Sequence, residues 1–371
     1  MMNYKETLFF IGKCLTINHE KHNYKIIEND LKSNQIDWDA VVKISTAHYV
    51  FPALYCNLKR ANFLNYLPDD LVDYMKHITN LNRERNQQII AQAKEINELL
   101  LENNITPIFL KGTGNLLEGL YEDIAERMVG DIDFIVSNEE FDKTIKCIEN
   151  YGYSKVHQTK YDFPQFKHYP RLQKTGKTAA IEIHKELLLE KFADEFNYDI
   201  VRKDSQKING FSVMSFENQL SLSIIAKQIN DDGFYYKTIA LRNAYDVFLL
   251  SKRCDAKNAF YQFDKLKTPL NCFLASCFFV FNNPTSLEYN KTDETKTYLK
   301  HFEQLLSNKK QAQKKFKKTS TKLFLSKRLN IIYKSIFDKA HRKWLIKRIT
   351  DKEWQQQKLI QLGLKKTKPN V

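Results

Sequence analysis

Asp131 and Asp133 stand at positions i and i+2 of a run, Asp131 to Val136, whose β-branched and aromatic content predicts a strand. Strand side chains alternate, so both acids share one sheet face while Ile132 and Phe134 take the other. Two carboxylates on one face repel each other unless a positive charge sits between them. A divalent cation with oxygen ligands meets that demand, and Mg²⁺ commonly binds through one or two carboxylates plus substrate phosphates. A solvated strand end accounts for a bare Asp-x-Asp more simply, so the surroundings must decide. Ile181-Glu182-Ile183-His184 is a second strand-like run that puts Glu182 and His184 on a common face. Charged side chains avoid burial unless paired. An acid between two isoleucines therefore either completes a three-carboxylate site with Asp131 and Asp133 or lies on a wet edge.

A phosphate-handling candidate precedes the paired acids. Lys111-Gly112-Thr113-Gly114 falls between a short apolar strand, Pro107 to Leu110, and a helix through Leu116, Leu117 and Leu120. Free N–H groups at a helix start favour phosphate, and glycine lets it approach closely. Thr113 can cap the helix or donate to a phosphate oxygen, and Lys111 can meet phosphate as a point charge. The spacing is not that of a Walker A loop. The chain has only ten glycines, and four of them (Gly112, Gly114, Gly119 and Gly130) fall within nineteen residues. Arg127 lies four residues before Asp131 in an acidic loop with Glu122, Asp123 and Glu126. It reads equally as a bidentate triphosphate ligand or as a surface ion pair.

The elements that must position these residues follow from periodicity. Residues 1–104 read as a helical region: Asp37-Trp38 opens one helix, Pro68-Asp69-Asp70 another, and Ile89, Ala93, Ile96 and Leu100 form one face of the helix that ends the region. Residues 105–215 alternate strands and helices, with further strand candidates at 153–156, 166–172 and 178–184 and a helix over 138–150. Residues 216–305 read as helical again, and 306–371 as a basic, helical tail. The expected fold class is α+β, a small mixed sheet flanked by N-terminal and C-terminal helical regions.

Composition narrows the classes. Of 371 residues, 43% are hydrophobic and 27% charged, which excludes a wholly disordered or collagen-like chain. The longest uncharged apolar run, Leu270 to Phe281, is too short for a span of about 20 residues, so no transmembrane helix is expected. The N-terminal apolar patch is broken by Lys13 and has no small-residue cleavage site, so no secretory signal is expected. The six cysteines make no CxxC pair, which predicts reduced thiols and a cytoplasmic protein. The net charge of +14 belongs to the tail: residues 301–371 carry 20 basic and 4 acidic side chains, residues 1–300 carry 38 and 40. In the tail, Lys309 to Lys318 are clustered and Leu329, Ile332, Ile336 and Phe337 recur at helical spacing. A basic amphipathic helix suits a membrane surface or an acidic partner, with peripheral association; packing on the body is the plainer alternative.

The string PIFLKGTGNLLEGLY…ERMVGDIDFIVS…YGY…AAIEIHKEL resembles the uncharacterised bacterial nucleotidyltransferase family of the polymerase-beta-like superfamily. The segments Trp38…Ala47-His48-Tyr49-Val50…Pro52 and Arg242…Tyr245-Asp246 are also similar, so the resemblance covers about residues 30 to 260. It implies transfer of an NMP group from an NTP, ATP among the candidates, to a hydroxyl of a small molecule, glycan or protein, releasing pyrophosphate. It implies Mg²⁺, with Mn²⁺ as the alternative, held by Asp131, Asp133 and Glu182, and Glu182 helping to activate the acceptor. Lys111, Gly112 and Thr113 would cradle the triphosphate, Arg127 would neutralise it, and His184 would join the nucleotide site. Two other classes stand beside this: a catalytically silent relative that binds a nucleotide or partner, and a nucleic-acid-directed transferase using the basic tail. The near-neutral body argues against the latter.

Overall fold

The structure, a computed structural model, describes residues 2–157 and 161–361. Two compact units divide it: Met1–Val156 with Phe166–Ala312, and His157–Gln165 with Gln313–Val371. Residues 362–371 of the basic tail lie outside the described residues.

Helices α1 (Tyr4–Thr16), α2 (Lys21–Lys32), α3 (Trp38–Ala47) and α4 (Phe51–Arg60) open the first unit. The Asp37 carboxylate accepts from the Ala40 N–H and so caps α3 where the sequence puts a helix start. The 34-residue α5 (Asp69–Glu102) follows Pro68, with two acids in its first turn. Ile89, Ala93, Ile96 and Leu100 are fully buried, so the apolar stripe is the face that packs inward. The same helix also buries amides. Asn82 and Asn86, one turn apart, donate to the Ala125 carbonyl (2.7 Å) and the Arg127 carbonyl (2.7 Å). Gln92 donates to the Ala179 carbonyl at 2.9 Å and accepts from the Ala179 N–H at 3.0 Å. These bonds satisfy backbone groups that no strand or helix pairs, and they fix the 122–130 loop and the approach to residue 180.

One seven-stranded mixed sheet carries β1 (Ile108–Phe109), β2 (Asp131–Ile135), β3 (Ser154–Lys155), β4 (Leu172–Gln173), β5 (Ala180–His184), β6 (Gln206–Ile208) and β7 (Phe211–Val213). The order is β3-β4-β5-β2-β1-β7-β6. The pair that matters is β2 with β5. It is parallel, with Asp133 opposite Glu182 and Ile135 opposite His184. Ile132, Phe134, Ile181 and Ile183 are buried on the other face, as the alternation predicts. The 166–172 candidate is regular only at its end. Upstream it follows β5 by single contacts, His168 bridging His184 and the Tyr169 N–H donating to the Ile183 carbonyl at 2.9 Å.

The remaining helices of this unit are α6 (Lys111–Glu118), α7 (Phe141–Asn150), α8 (Tyr198–Lys203), α9 (Phe216–Ile225), α10 (Gly233–Tyr236), α11 (Leu241–Leu250), α12 (Asn258–Tyr261), α13 (Lys267–Val280) and α14 (Asp293–Ser307). Sheet and flanking helices together make the α+β fold that the pattern predicts. The six cysteines are free, four of them buried.

The tail forms α15 (Lys309–Phe337), α16 (Lys339–Thr350) and α17 (Lys352–Gln361). Within the second unit, Phe163 packs edge-on against Trp344 with ring centroids 4.8 Å apart. The Tyr161 hydroxyl donates to Asp351 at 3.0 Å. Among the described residues, no helix is long and apolar enough to cross a membrane.

At the far end of α6 from its lysine, Glu118 accepts from Gln219 through one oxygen, while its other oxygen is buried without a partner. Burial pushes this carboxyl up to about 7, against smaller opposing effects of Gln219 and Arg253. A raised folded value means that the group's stability is full below about pH 4.3 and is lost as pH rises through about 7. Glu118→Gln is therefore expected to match the wild type near pH 4 and to exceed it at pH 8 by about 1 kcal/mol, allowing for partial exposure. Thermal melts at the two pH values check this. An equal difference at both would remove the titration.

Candidate active site

Lys111 opens α6 with a left-handed backbone, φ +52°, uncommon for a residue with a Cβ and strained by about 1 kcal/mol. That twist lets the chain leave β1 and enter α6 with the lysine side chain on the acid face of the sheet. Its Nζ lies 2.6 Å from Asp133 Oδ1 and 3.7 Å from Glu182 Oε2. At Gly112 a Cβ would stand 3.1 Å from Val129 Cγ2, tight enough that the valine would have to yield, and 3.5 Å from the Arg127 guanidinium carbon. At Gly114 a Cβ would meet the Phe109 carbonyl oxygen at 2.9 Å, a clash with backbone that cannot move aside. Thr113 is buried, and its hydroxyl donates to the Asp131 carbonyl at 2.9 Å, tying the turn to the acid strand. The first N–H groups of α6 have no intrahelical acceptors and remain the turn's means of meeting an anion.

The acids converge as the register requires. His184 Nε2 lies 2.9 Å from Asp133 Oδ1 and 3.5 Å from Glu182 Oε2. Ligand atoms of Asp133, Glu182 and His184 all fall within 4.8 Å of one another. Asp131, two residues earlier on the same face, stands outside that cluster and pairs with the Arg171 guanidinium. Arg171 Nε donates to Glu182 at 2.8 Å. Burial alone would raise the Asp133 and Glu182 carboxyls, but Lys111 and His184 beside both of them hold Asp133 below its ordinary value and, together with Arg171, hold Glu182 well below its own. Burial opposes the Lys111 charge too, and Asp133 and Glu182 raise its pKa in spite of it. Asp131, where burial outweighs Arg171, is raised. Lys167, on the segment laid along β5, is lowered to about 8 by burial and by the neighbouring Lys111 charge.

The donor set suits a divalent ion. Two ionised carboxylates and an imidazole are oxygen and nitrogen ligands of a kind that bind one, and the second ring nitrogen, His184 Nδ1, is buried without a partner. The structure thus brings Lys111, Gly112, Asp131, Asp133, Glu182 and His184 to one place. Thr113 and Arg127 are near but engaged. Arg127 is buried, donating through Nε to Asp246 at 3.0 Å and through Nη1 to the Met128 carbonyl at 2.9 Å. Asp246 on α11 also accepts from the Tyr121 hydroxyl at 2.7 Å. Neither reading of Arg127 from its acidic loop anticipates this partner. Nothing in the local sequence marks Arg171, and only the pairing of Leu172 with Ile181 sets it beside Glu182.

A mixed sheet with an acidic cluster on one face and a strand–turn–helix beside it defines the class, a nucleotidyltransferase-type fold. The model of the family described as "Uncharacterised nucleotidyltransferase" matches residues 34–280, and the chain belongs to that family. Family and cluster together support a nucleotidyltransferase. No curated protein matches the chain. Among solved structures it is similar to JHP933 from Helicobacter pylori, at 13% identity over 65% of this chain and 97% of that one. The TM-score is 0.29, a likeness too distant to bear on fold or activity.

Proposed function

We propose that the chain transfers an NMP group from an NTP to a hydroxyl of a small molecule, glycan or protein, with release of pyrophosphate. The observation that carries this reading is the cross-strand meeting of Asp133, Glu182 and His184 beside the Lys111 turn. Asp133, Glu182 and His184 would hold Mg²⁺ or Mn²⁺, with Asp131 available at the rim. When bound, such an ion supplies charge stabilisation to the oxygens of the displacement at the α-phosphate. The chain's own residues do the rest. Lys111 offers its ammonium to the triphosphate, and the free N–H groups of the α6 first turn receive phosphate oxygens. Thr113 and Arg127 brace that turn from behind, the former through Asp131, the latter against Gly112. Asp133 and Glu182, kept anionic by their cationic neighbours, stay available as ligands over the physiological range. Free thiols and an NTP supply are both met in the cytoplasm, where we place the reaction.

Calorimetric titration with ATP, GTP, CTP and UTP, with and without Mg²⁺, tests the donor site without knowledge of the acceptor. One nucleotide is expected to bind in a Mg²⁺-dependent way, and Lys111→Ala to weaken it about tenfold, the worth of one charge-assisted bond. Mg²⁺-independent binding would favour the silent relative. No binding at all would remove the donor site.

The tail's finer assignment is to an anionic lipid surface. Leu325, Leu329, Ile332 and Ile336 recur at intervals of four, three and four on α15 and are each more than half exposed. Apolar stripes of that kind are covered in use, and the surrounding lysines select a negative surface. Cosedimentation with phosphatidylserine vesicles is expected and should weaken as salt rises. Equal recovery with neutral phosphatidylcholine vesicles, or none with either, would overturn the assignment.

A further inference from the structure

Three carboxylates share one face of the central strand pair, and two side-chain cations divide them. Lys111 takes the inner acid, Asp133. Arg171 spans the outer two, Nη2 on Asp131 and Nε on Glu182. It reaches them because Leu172 pairs with Ile181, which puts residue 171 next to Glu182 across an antiparallel pair. The arrangement is uneven in exposure. The Arg171 side chain is 50% exposed, while Asp131 is 21% and Glu182 13% exposed. Arg171 is thus the more exposed of the two cations, its side chain 50% exposed against 29% for Lys111.

Arg171 takes Glu182 Oε1 and Asp131, while Lys111 and His184 face Glu182 Oε2. A divalent ion that took both Glu182 oxygens or drew in Asp131 would need the oxygens Arg171 now holds, and it would repel the guanidinium as a like charge. Once released, Arg171 is a permanent positive charge at the mouth of the site, with a planar fork that matches a phosphate oxygen pair. We propose that Arg171 is a displaceable counter-ion. It holds Asp131 and Glu182 together before loading, yields them to the divalent ion, and passes to the phosphates of the arriving nucleotide. This rests on the function proposed above and adds a phosphate-contacting residue to it.

The test measures Mn²⁺ binding without nucleotide, by electron paramagnetic resonance, on the full chain, Arg171→Gln and Asp133→Asn. Mg²⁺-dependent nucleotide affinity is then measured on the same three proteins. A displaced competitor predicts that Arg171→Gln binds Mn²⁺ about tenfold more tightly and the nucleotide more weakly. A simple brace predicts the reverse for Mn²⁺, because loosened acids make a poorer site. Arg171→Lys serves if the glutamine variant does not fold. A point charge cannot span both carboxylates, so Mn²⁺ affinity should still rise, with nucleotide affinity partly kept. Wild-type Mn²⁺ binding that is lost in Asp133→Asn yet unchanged or weaker in a folded Arg171 variant would overturn the counter-ion role and leave the metal site standing. Absence of Mn²⁺ binding in all of them would overturn both.

Discussion

Asp133→Asn is expected to lower Mg²⁺-dependent nucleotide affinity by at least about 100-fold and to abolish transfer, with the fold intact. The change is isosteric and keeps the packing of β2. It removes the charge that meets Lys111 at 2.6 Å and His184 at 2.9 Å. It also turns one acceptor oxygen into an amide that can face the Lys111 ammonium with its own donors. Glu182, 3.7 Å from that ammonium, is then its nearest carboxylate. Titration of the nucleotide, beside a thermal melt, reads both halves of the expectation. An affinity within twofold of the wild type would sink the assignment of Asp133.

The largest loss of stability is expected at a residue that touches none of the acids. Asp246 and Arg127 form an ion pair at 2.9 Å with side chains 2% and 8% exposed. Breaking a buried pair from one side costs about 3–5 kcal/mol, because the remaining charge is left uncompensated. Asp246→Ala would do that to Arg127 and would also take the acceptor from the Tyr121 hydroxyl. Against a total of about 5–15 kcal/mol, the variant should be near its unfolding threshold. Asp246→Leu with Arg127→Met should recover much of the loss, since matched apolar replacement of a buried pair is often neutral. Urea midpoints decide it. A shift in Asp246→Ala worth under about 1 kcal/mol would show a pair that is not isolated from solvent.

How much of this is legible in the sequence varies with the range of the interaction. The β2 acids and their shared face follow from alternation within five residues, and the same rule placed Glu182 with His184. The strand–turn–helix at Lys111 is equally local. The hairpin of β6 and β7 has one local mark, Asn209-Gly210, with φ of +50° and +84°, the dipeptide that two-residue turns favour. Three-residue strands are too short for a period to stand out there. The acids local to Arg127 lie within five residues of it in the loop, whereas its partner is 119 residues away on a helix. Arg171 lies 40 residues from Asp131, and only sheet register joins them. The 157–165 segment grouping with the tail is likewise invisible to any local pattern.

The parallel pairing of β2 with β5 also bears on how the chain folds. Asp133 and His184 are 51 residues apart, so the cluster does not exist until a long-range strand pair closes. Closing it sets Asp133 directly opposite Glu182, and like charges in that position oppose pairing. Lys111 and Arg171 are thus part of what allows the two central strands to come together. The pairing step should be slow, and it should quicken when a divalent ion is present to bridge the acids.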